Sequence, residues 1–178
     1  DGRFFVVSDE LFQAFDQSAE HFRVKRIAAS VPADARSLRV HSSRADVALT
    51  HGEDGWRMTT PYAAIASEGR ANVVLSFLRT LSATRFVDEH PSDVSRYGLD
   101  RPTLSVDVEG TSAISLRVGG TCAGHADERY ARVGAGPVVC VSDSEVTPLD
   151  VEPRAYLELR AMLTEVGGVK GFDLHDGS

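Results

Sequence analysis

A faint internal repeat places the strongest constraint on how this chain can fold. Residues 2–41 align without a gap on residues 136–175, so that GRFFVVSDELFQAFDQ lies over GPVVCVSDSEVTPLDV. Seven of the forty aligned positions are identical, where composition alone gives roughly two or three. Self-similarity at a fixed offset is typical of tandem units. The repeat therefore predicts a chain of about one and a third copies of such a unit.

Length and composition place the chain among globular proteins. It has 178 residues, of which 42% are hydrophobic and 25% are charged, enough for one ordinary core or two small ones. The net charge of −7 argues against a nucleic-acid platform, which needs a basic stripe. No apolar run approaches the roughly 20 residues that cross a bilayer. Because the chain starts at Asp1 rather than Met, we expect any export signal or membrane anchor to precede it.

The spacing of apolar residues predicts an α+β fold. Period-two alternation and Gly-rich turns, including a turn at Gly119-Gly120, predict two antiparallel meanders. Their strands are residues 38–41, 47–50 and 56–59 in the first, and 103–108, 114–118, 128–133 and 137–141 in the second. A short strand is predicted at residues 85–89, and helical turns at 92–98. We expect these antiparallel β-meanders to pack against a few amphipathic helices.

The clearest helix begins at Ser67-Glu68, where apolar residues recur on one face at Ala71, Val74, Leu78 and Leu81. The repeat predicts a strand–helix–strand segment at both ends of the chain. In the head, a strand at residues 3–7 precedes a helix that runs to about Ser18; in the tail, a helix at residues 154–164 precedes a strand at 171–175.

The two cysteines, Cys122 and Cys140, belong to one predicted hairpin region. Cys122 lies in the polar stretch GGTCAGHADE, and Cys140 lies in the strand PVVCVSD. Two cysteines that the hairpin brings together suit a disulfide, whereas a zinc site needs more thiols or a histidine at fixed spacing. Two unrelated buried thiols are the alternative. A disulfide would place the protein in an oxidising compartment.

Other candidate sites have ordinary structural interpretations. The histidines lack metal-ligand spacing, so we expect no metal site and no cofactor; they are His21, His41, His51, His90, His125 and His175. No G-x-S-x-G element supports a hydrolase, and the loop at residues 119–124 lacks the Lys-Ser/Thr of a phosphate loop. The acidic residues Asp143, Glu145, Asp150 and Glu152 suit a solvated helix start. We interpret Trp56 as a core anchor of the first meander.

Several short elements occur in an order that resembles a known family. They are Gly55-Trp56-Arg57-Met58 with Pro61, Arg85-Phe86-Val87, Tyr97-Gly98-Leu99-Asp100-Arg101-Pro102, Leu116-Arg117-Val118-Gly119-Gly120 and Tyr130-Ala131-Arg132-Val133. Together they resemble the bacterial domain of unknown function 4340 family over about residues 38–143. With the repeat, this resemblance predicts that residues 1–42 are the tail of a preceding unit and that 43–178 form one complete unit. The family's commonest pattern does not require the cysteine pair, so the disulfide depends on local geometry alone.

The resemblance implies a compartment and an architecture, because it brings no catalytic residues. Family members resemble envelope proteins with an amino-terminal membrane anchor and an exported repeat region, and some resemble partners of auxiliary subunits of ABC transporters. We therefore expect a non-enzymatic binding or scaffolding module, exported to the periplasm or the outer face of the cytoplasmic membrane, with a protein partner. The alternative is an envelope hydrolase or carbohydrate-binding enzyme with a site between repeat units. A structural spacer is a third possibility.

Overall fold

A single antiparallel sheet organises the computed structural model, which describes Ser8, residues 24–28 and residues 30–158. In this part of the chain the strands are β1 Ser37–Ser42, β2 Asp46–Gly52, β3 Gly55–Thr60, β4 Ala64–Ile65, β5 Arg85–Asp88, β6 Leu104–Glu109, β7 Ala113–Cys122, β8 His125–Val133 and β9 Val138–Ser142. Their order across the sheet is β4-β3-β2-β1-β6-β7-β8-β9-β5. All neighbouring strands in this order are antiparallel.

Strand β1 joins the two predicted meanders. It pairs with β2 on one side, in a hairpin, and with β6 on the other. The pairing with β6 runs from Ser37 opposite Glu109 to Ser42 opposite Leu104. Because of this pairing, the strands before and after the long helix form one continuous sheet.

The predicted fold class, an α+β arrangement of β-meanders packed against a few amphipathic helices, is therefore wrong. The described residues contain one helix of 13 residues, α1 Glu68–Thr80, and one of four residues, α2 Asp143–Val146. The nine-stranded sheet dominates. Local periodicity locates strands but does not show which strands pair over long sequence distances. Neither helix is long and apolar enough to cross a membrane.

Helix α1 forms where the sequence predicts it. Ser67 is the N-cap residue, and its hydroxyl accepts a hydrogen bond from the backbone N–H of Arg70 at 3.4 Å. Glu68 in the first turn and Arg79 in the last turn complement the helix dipole. The buried face of the helix consists of Ala71, Val74, Leu75 and Leu78. This face packs into the main apolar core against the sheet.

The sheet has an inner face, which α1 covers, and an outer face. Leu38 and Val40 of β1 point inward and are at most 1% exposed, whereas Arg39 between them points outward and is exposed. Cross-strand partners share a face, so the register extends this division to the neighbouring strands. The inner face supplies the core residues Leu49, Met58, Val106, Val108, Leu116, Val118, Val139 and Val141.

Residues 89–102 cover part of the outer face. Tyr97 packs with Val138 in a small second apolar cluster, and its hydroxyl donates to Asp88 Oδ2 at 3.0 Å. Arg96 pairs with the same carboxylate. Burial raises the pKa of Asp88, but the hydrogen bonds from Tyr97 and Arg96 outweigh burial, so that this pKa lies below its ordinary value. These contacts attach the segment to β5.

Two local predictions are wrong. Gly119 and Gly120 lie inside β7, which continues to Cys122, and the hairpin turn falls at residues 123–124 instead. Of the helix predicted from residue 154, the described part is a 3₁₀ turn, Pro153–Tyr156, followed by an extended Leu157 that bridges to Ala66. The two-residue strand β4 is too short for periodicity to reveal.

The rest of the tail helix, the tail strand at 171–175, and the head strand and helix lie outside the described residues. A large part of each repeat copy lies there as well. The division into residues 1–42 and 43–178 therefore stays a prediction.

Gly119 offers a test of how residues 89–102 sit on the sheet. A Cβ at Gly119 would clash with the carbonyl oxygen of Tyr97 and lie 3.0 Å from the carbonyl carbon of Gly98, whereas a Cβ at Gly120 would lie 3.7 Å from the Tyr97 oxygen, an ordinary contact. We expect Gly119→Ala to lower the free energy of unfolding by about 2–3 kcal/mol. Gly120→Ala is the control and should change it by less than about 1 kcal/mol. Urea unfolding measures both, and equal midpoints for the two variants would contradict the close approach.

Candidate functional site

A cleft lies at one end of the inner face. It has a volume of about 640 Å³ and lies between the β1–β2 turn, the start of β6 and the segment from α2 to residue 150. Its polar lining consists of His41, Ser42, Ser43, Arg44, Thr103, Arg129, Asp143, Thr147 and Asp150. Two arginines and two aspartates thus face one space, and their partners decide whether they are available for chemistry.

The hydroxyl of Ser42 is fully engaged in holding the β1–β2 turn. It donates to Asp150 Oδ1 at 2.5 Å and accepts from the backbone N–H groups of Arg44 and Ala45, each at 3.1 Å. Arg44 Nε lies 3.9 Å from the other oxygen of Asp150. These contacts attach the turn to the segment after α2, which is a structural role for Ser42 rather than that of a nucleophile.

His41 does not complete a catalytic triad with Ser42 and Asp150. Although His41 lines part of the cleft, adjacent residues of a strand point to opposite faces. The His41 side chain belongs to the outer face, where its Nδ1 lies 3.6 Å from Asp46. A general base must lie within hydrogen-bond reach of the nucleophile. The alternation of β1 prevents that arrangement here.

Arg129 is fixed in the same way. Its guanidinium donates to the carbonyl oxygen of Gly119 from both Nε at 3.2 Å and Nη2 at 2.9 Å, and to Thr103 Oγ1 at 2.9 Å. Asp143 lies 3.5 Å from Nη1. Arg129 therefore ties the irregular end of β7 to the loop before β6, and the cleft walls are held together by their own charged groups.

The half-buried Arg70 of α1 contacts the buried Tyr156 of the 3₁₀ turn Pro153–Tyr156. The Arg70 guanidinium lies 5.2 Å from the ring centroid of Tyr156. Among the described residues the Tyr156 hydroxyl has no hydrogen-bond partner. Burial raises the pKa of Tyr156, and the nearby Arg70 opposes this shift only in part. The tyrosine is thus a neutral core side chain rather than an acid–base group.

Cys122 and Cys140, the predicted pair, form a disulfide with their Cα atoms 6.3 Å apart. The bond joins the end of β7 to the centre of β9, and both residues are buried. Among the described residues, one group has candidate ligand atoms close enough to hold a metal. It consists of Cys122, Cys140 and Glu128, whose ligand atoms lie within 4.8 Å of one another. Sulfurs joined to each other are not thiolate ligands, and Glu128 forms an ion pair with Arg85 at 3.1 Å. The group suits a disulfide rather than a metal centre.

The other residues considered from the sequence are dispersed. Of the histidines in the described residues, His51 packs edge-on against Trp56 at 5.0 Å, and His125 contacts Arg85. His21 and His175 lie outside the described residues. Trp56 is 4% exposed and lies in the core, as predicted. In the acidic group, Asp143 and Asp150 have the partners given above, and Glu152 pairs with Arg154 at 2.9 Å.

A set of arginines on the outer face was not singled out from the sequence. Arg39 lies between Leu38 and Val40, and the same triplet pattern of two buried apolar residues around an arginine recurs along the sheet. The triplets are 38–40 (Leu-Arg-Val), 56–58 (Trp-Arg-Met), 116–118 (Leu-Arg-Val) and, with a half-buried valine, 131–133 (Ala-Arg-Val). Period-two alternation predicts that each central residue points away from the core, so this signal was present in the sequence.

Comparison with known proteins gives one match. A family model described as "Domain of unknown function (DUF4340)" matches residues 56–162, which include α1, most of the sheet and both cysteines. No curated protein and no solved structure matches the chain. Because the family model covers more than half of the sequence, the chain belongs to the DUF4340 family.

Proposed function

We propose that this protein is a non-enzymatic protein-binding module of the bacterial cell envelope, acting in a transporter-associated assembly. The observation that carries the proposal is the outer face of the sheet, on which neither α-helix of the described residues packs. Helix α1 covers the inner face, whereas arginines from several strands line the outer face beside the segment 89–102. A sheet face that carries exposed side chains from several strands offers a wide area for a protein partner.

Two further observations support the proposal. The charged groups of the cleft are held by partners within the chain, so Ser42, Asp150 and Arg129 serve the fold. The disulfide is compatible with export, because such bonds persist in oxidising compartments. The transporter association comes from the family resemblance alone.

The alternative, an envelope hydrolase or carbohydrate-binding enzyme, has less support. Sugar-binding surfaces use exposed aromatic rings, but Trp56 is buried and Tyr97 is 8% exposed. Among the aromatic residues that the structure describes, Tyr62 is exposed, at 45%. It lies beside the edge strand β4 rather than in the cleft.

Site-specific photocrosslinking in the native envelope tests the binding surface. A crosslinking amino acid replaces Thr50, which is exposed on the outer face of β2, and in a control protein it replaces Val73, which is exposed on α1. In the full-length protein we expect position 50 to capture an envelope protein and position 73 to capture little. Mass spectrometry identifies the product. Equal capture at both positions, or cytosolic proteins alone, would refute the proposal.

The redox state of the cysteines tests the exported location. Protein isolated from its own cells is denatured and alkylated before and after reduction. We expect no label before reduction and two labels after it, at Cys122 and Cys140. We also expect reduction to lower the free energy of unfolding by about 3 kcal/mol, because the bond closes a loop of 18 residues. Free thiols in the isolated protein would contradict the location.

A further inference from the structure

We infer that the outer face binds an acidic polypeptide segment of the partner, through Arg39, Arg117 and Arg132. This inference rests on the proposed function and names the chemistry of the partner. We call these three arginines, together with Asp107, the arginine patch. Arg39 is the cross-strand partner of Asp107, and Arg117 is that of Arg132. Since neighbouring strands lie about 4.8 Å apart, the patch spans about 14 Å from β1 to β8.

The charges of the patch are not balanced within the chain. Arg117 Nη1 donates to Asp107 Oδ1 at 2.8 Å. Arg132 donates to the neutral carbonyl oxygens of Gly136 at 2.8 Å and Ala135 at 3.1 Å. Arg39 and Arg132 have no carboxylate within 4.0 Å among the described residues. The patch therefore carries two positive charges in excess on a chain whose net charge is −7.

The placement of Arg117 and Arg132 adds to this argument. Like charges directly opposite each other on neighbouring strands destabilise a sheet. One aspartate lies beside the pair, and it is engaged by Arg117. A partner carboxylate between the two guanidinium groups would relieve the repulsion and gain bidentate hydrogen bonds.

The surroundings favour an acidic polypeptide over other anions. Two acidic residues lie on the same face, towards the two ends of β1: Asp46 lies beside His41, and Glu109 lies beside Ser37. These carboxylates restrict the positive region to a few side chains, which suits a short segment better than a long polyanion such as nucleic acid. Membrane binding needs exposed large apolar residues beside the basic ones. Around Arg39 and Arg117 the outward neighbours are polar or small: Ser105, Ser115 and Ala48. Beside Arg132, Tyr130 and Val138 pack with Tyr97 in the second apolar cluster.

The test compares two arginine pairs in the full chain. Arg39→Gln with Arg132→Gln removes the arginines that lack a carboxylate partner, and Arg36→Gln with Arg154→Gln removes the same charge from exposed arginines elsewhere. The probe is a fluorescein-labelled peptide of glutamates, titrated at low and physiological salt. We expect the first pair to weaken binding about five-fold and the second pair to leave it unchanged, since exposed ion pairs contribute modestly. We expect salt to weaken binding by the unsubstituted protein.

Further outcomes separate this inference from the proposed function. Equal weakening by both pairs, or no binding of the glutamate peptide at low salt, would overturn the inference. Arginine-dependent binding to phosphatidylglycerol vesicles without peptide binding would overturn it in favour of a lipid headgroup. In the crosslinking experiment at position 50, the first pair should lower the yield of the envelope partner. An unchanged yield would refute the acidic contact while leaving the proposed function intact.

Discussion

The pairing of β1 with β6 is the interaction on which the rest of the structure depends. Ser37–Ser42 and Leu104–Glu109 are separated by the whole of α1 and five further strands or turns in the sequence, yet they lie side by side for six residues. Closing so long a loop costs entropy, and burial of Val40 against Val106 and of Leu38 against Val108 offsets that cost. Without this pairing the chain would form two smaller sheets.

One sheet with one helix-covered face determines where every functional group can lie. Each strand places alternate residues on the core side and on the outer side, so the arginines between buried residues share the outer face. The disulfide and Tyr97 then attach the end of β7 and the segment 89–102 to the β8–β9 side of that face. The exposed part of the outer face lies on the central strands, and it includes Arg39 and Arg117.

Much of the local structure could be predicted, and most of the site could not. Ser67 as a cap, the helix that follows it, and Gly98 in a left-handed conformation after a short helical turn all follow from local rules. Gly119 is instructive because its sequence suggests a turn, whereas its lack of a Cβ serves the close approach of Tyr97 across the sheet. Similarly, Ser42 and Asp150 are 108 residues apart, so nothing local shows that they share a hydrogen bond.

The sequence by itself determined the approximate positions of eight of the nine described strands, the long helix and the family, and it favoured the pairing of the two cysteines. Alternation, capping and hairpin proximity act over a few residues. Only the tertiary structure decided that the strands form one sheet, that Ser42 reaches Asp150, and that arginines of β1, β7 and β8 share neighbouring positions on one face. The physical reason is that register between distant strands depends on long-range burial, and a shift of one residue would turn each arginine to the other face.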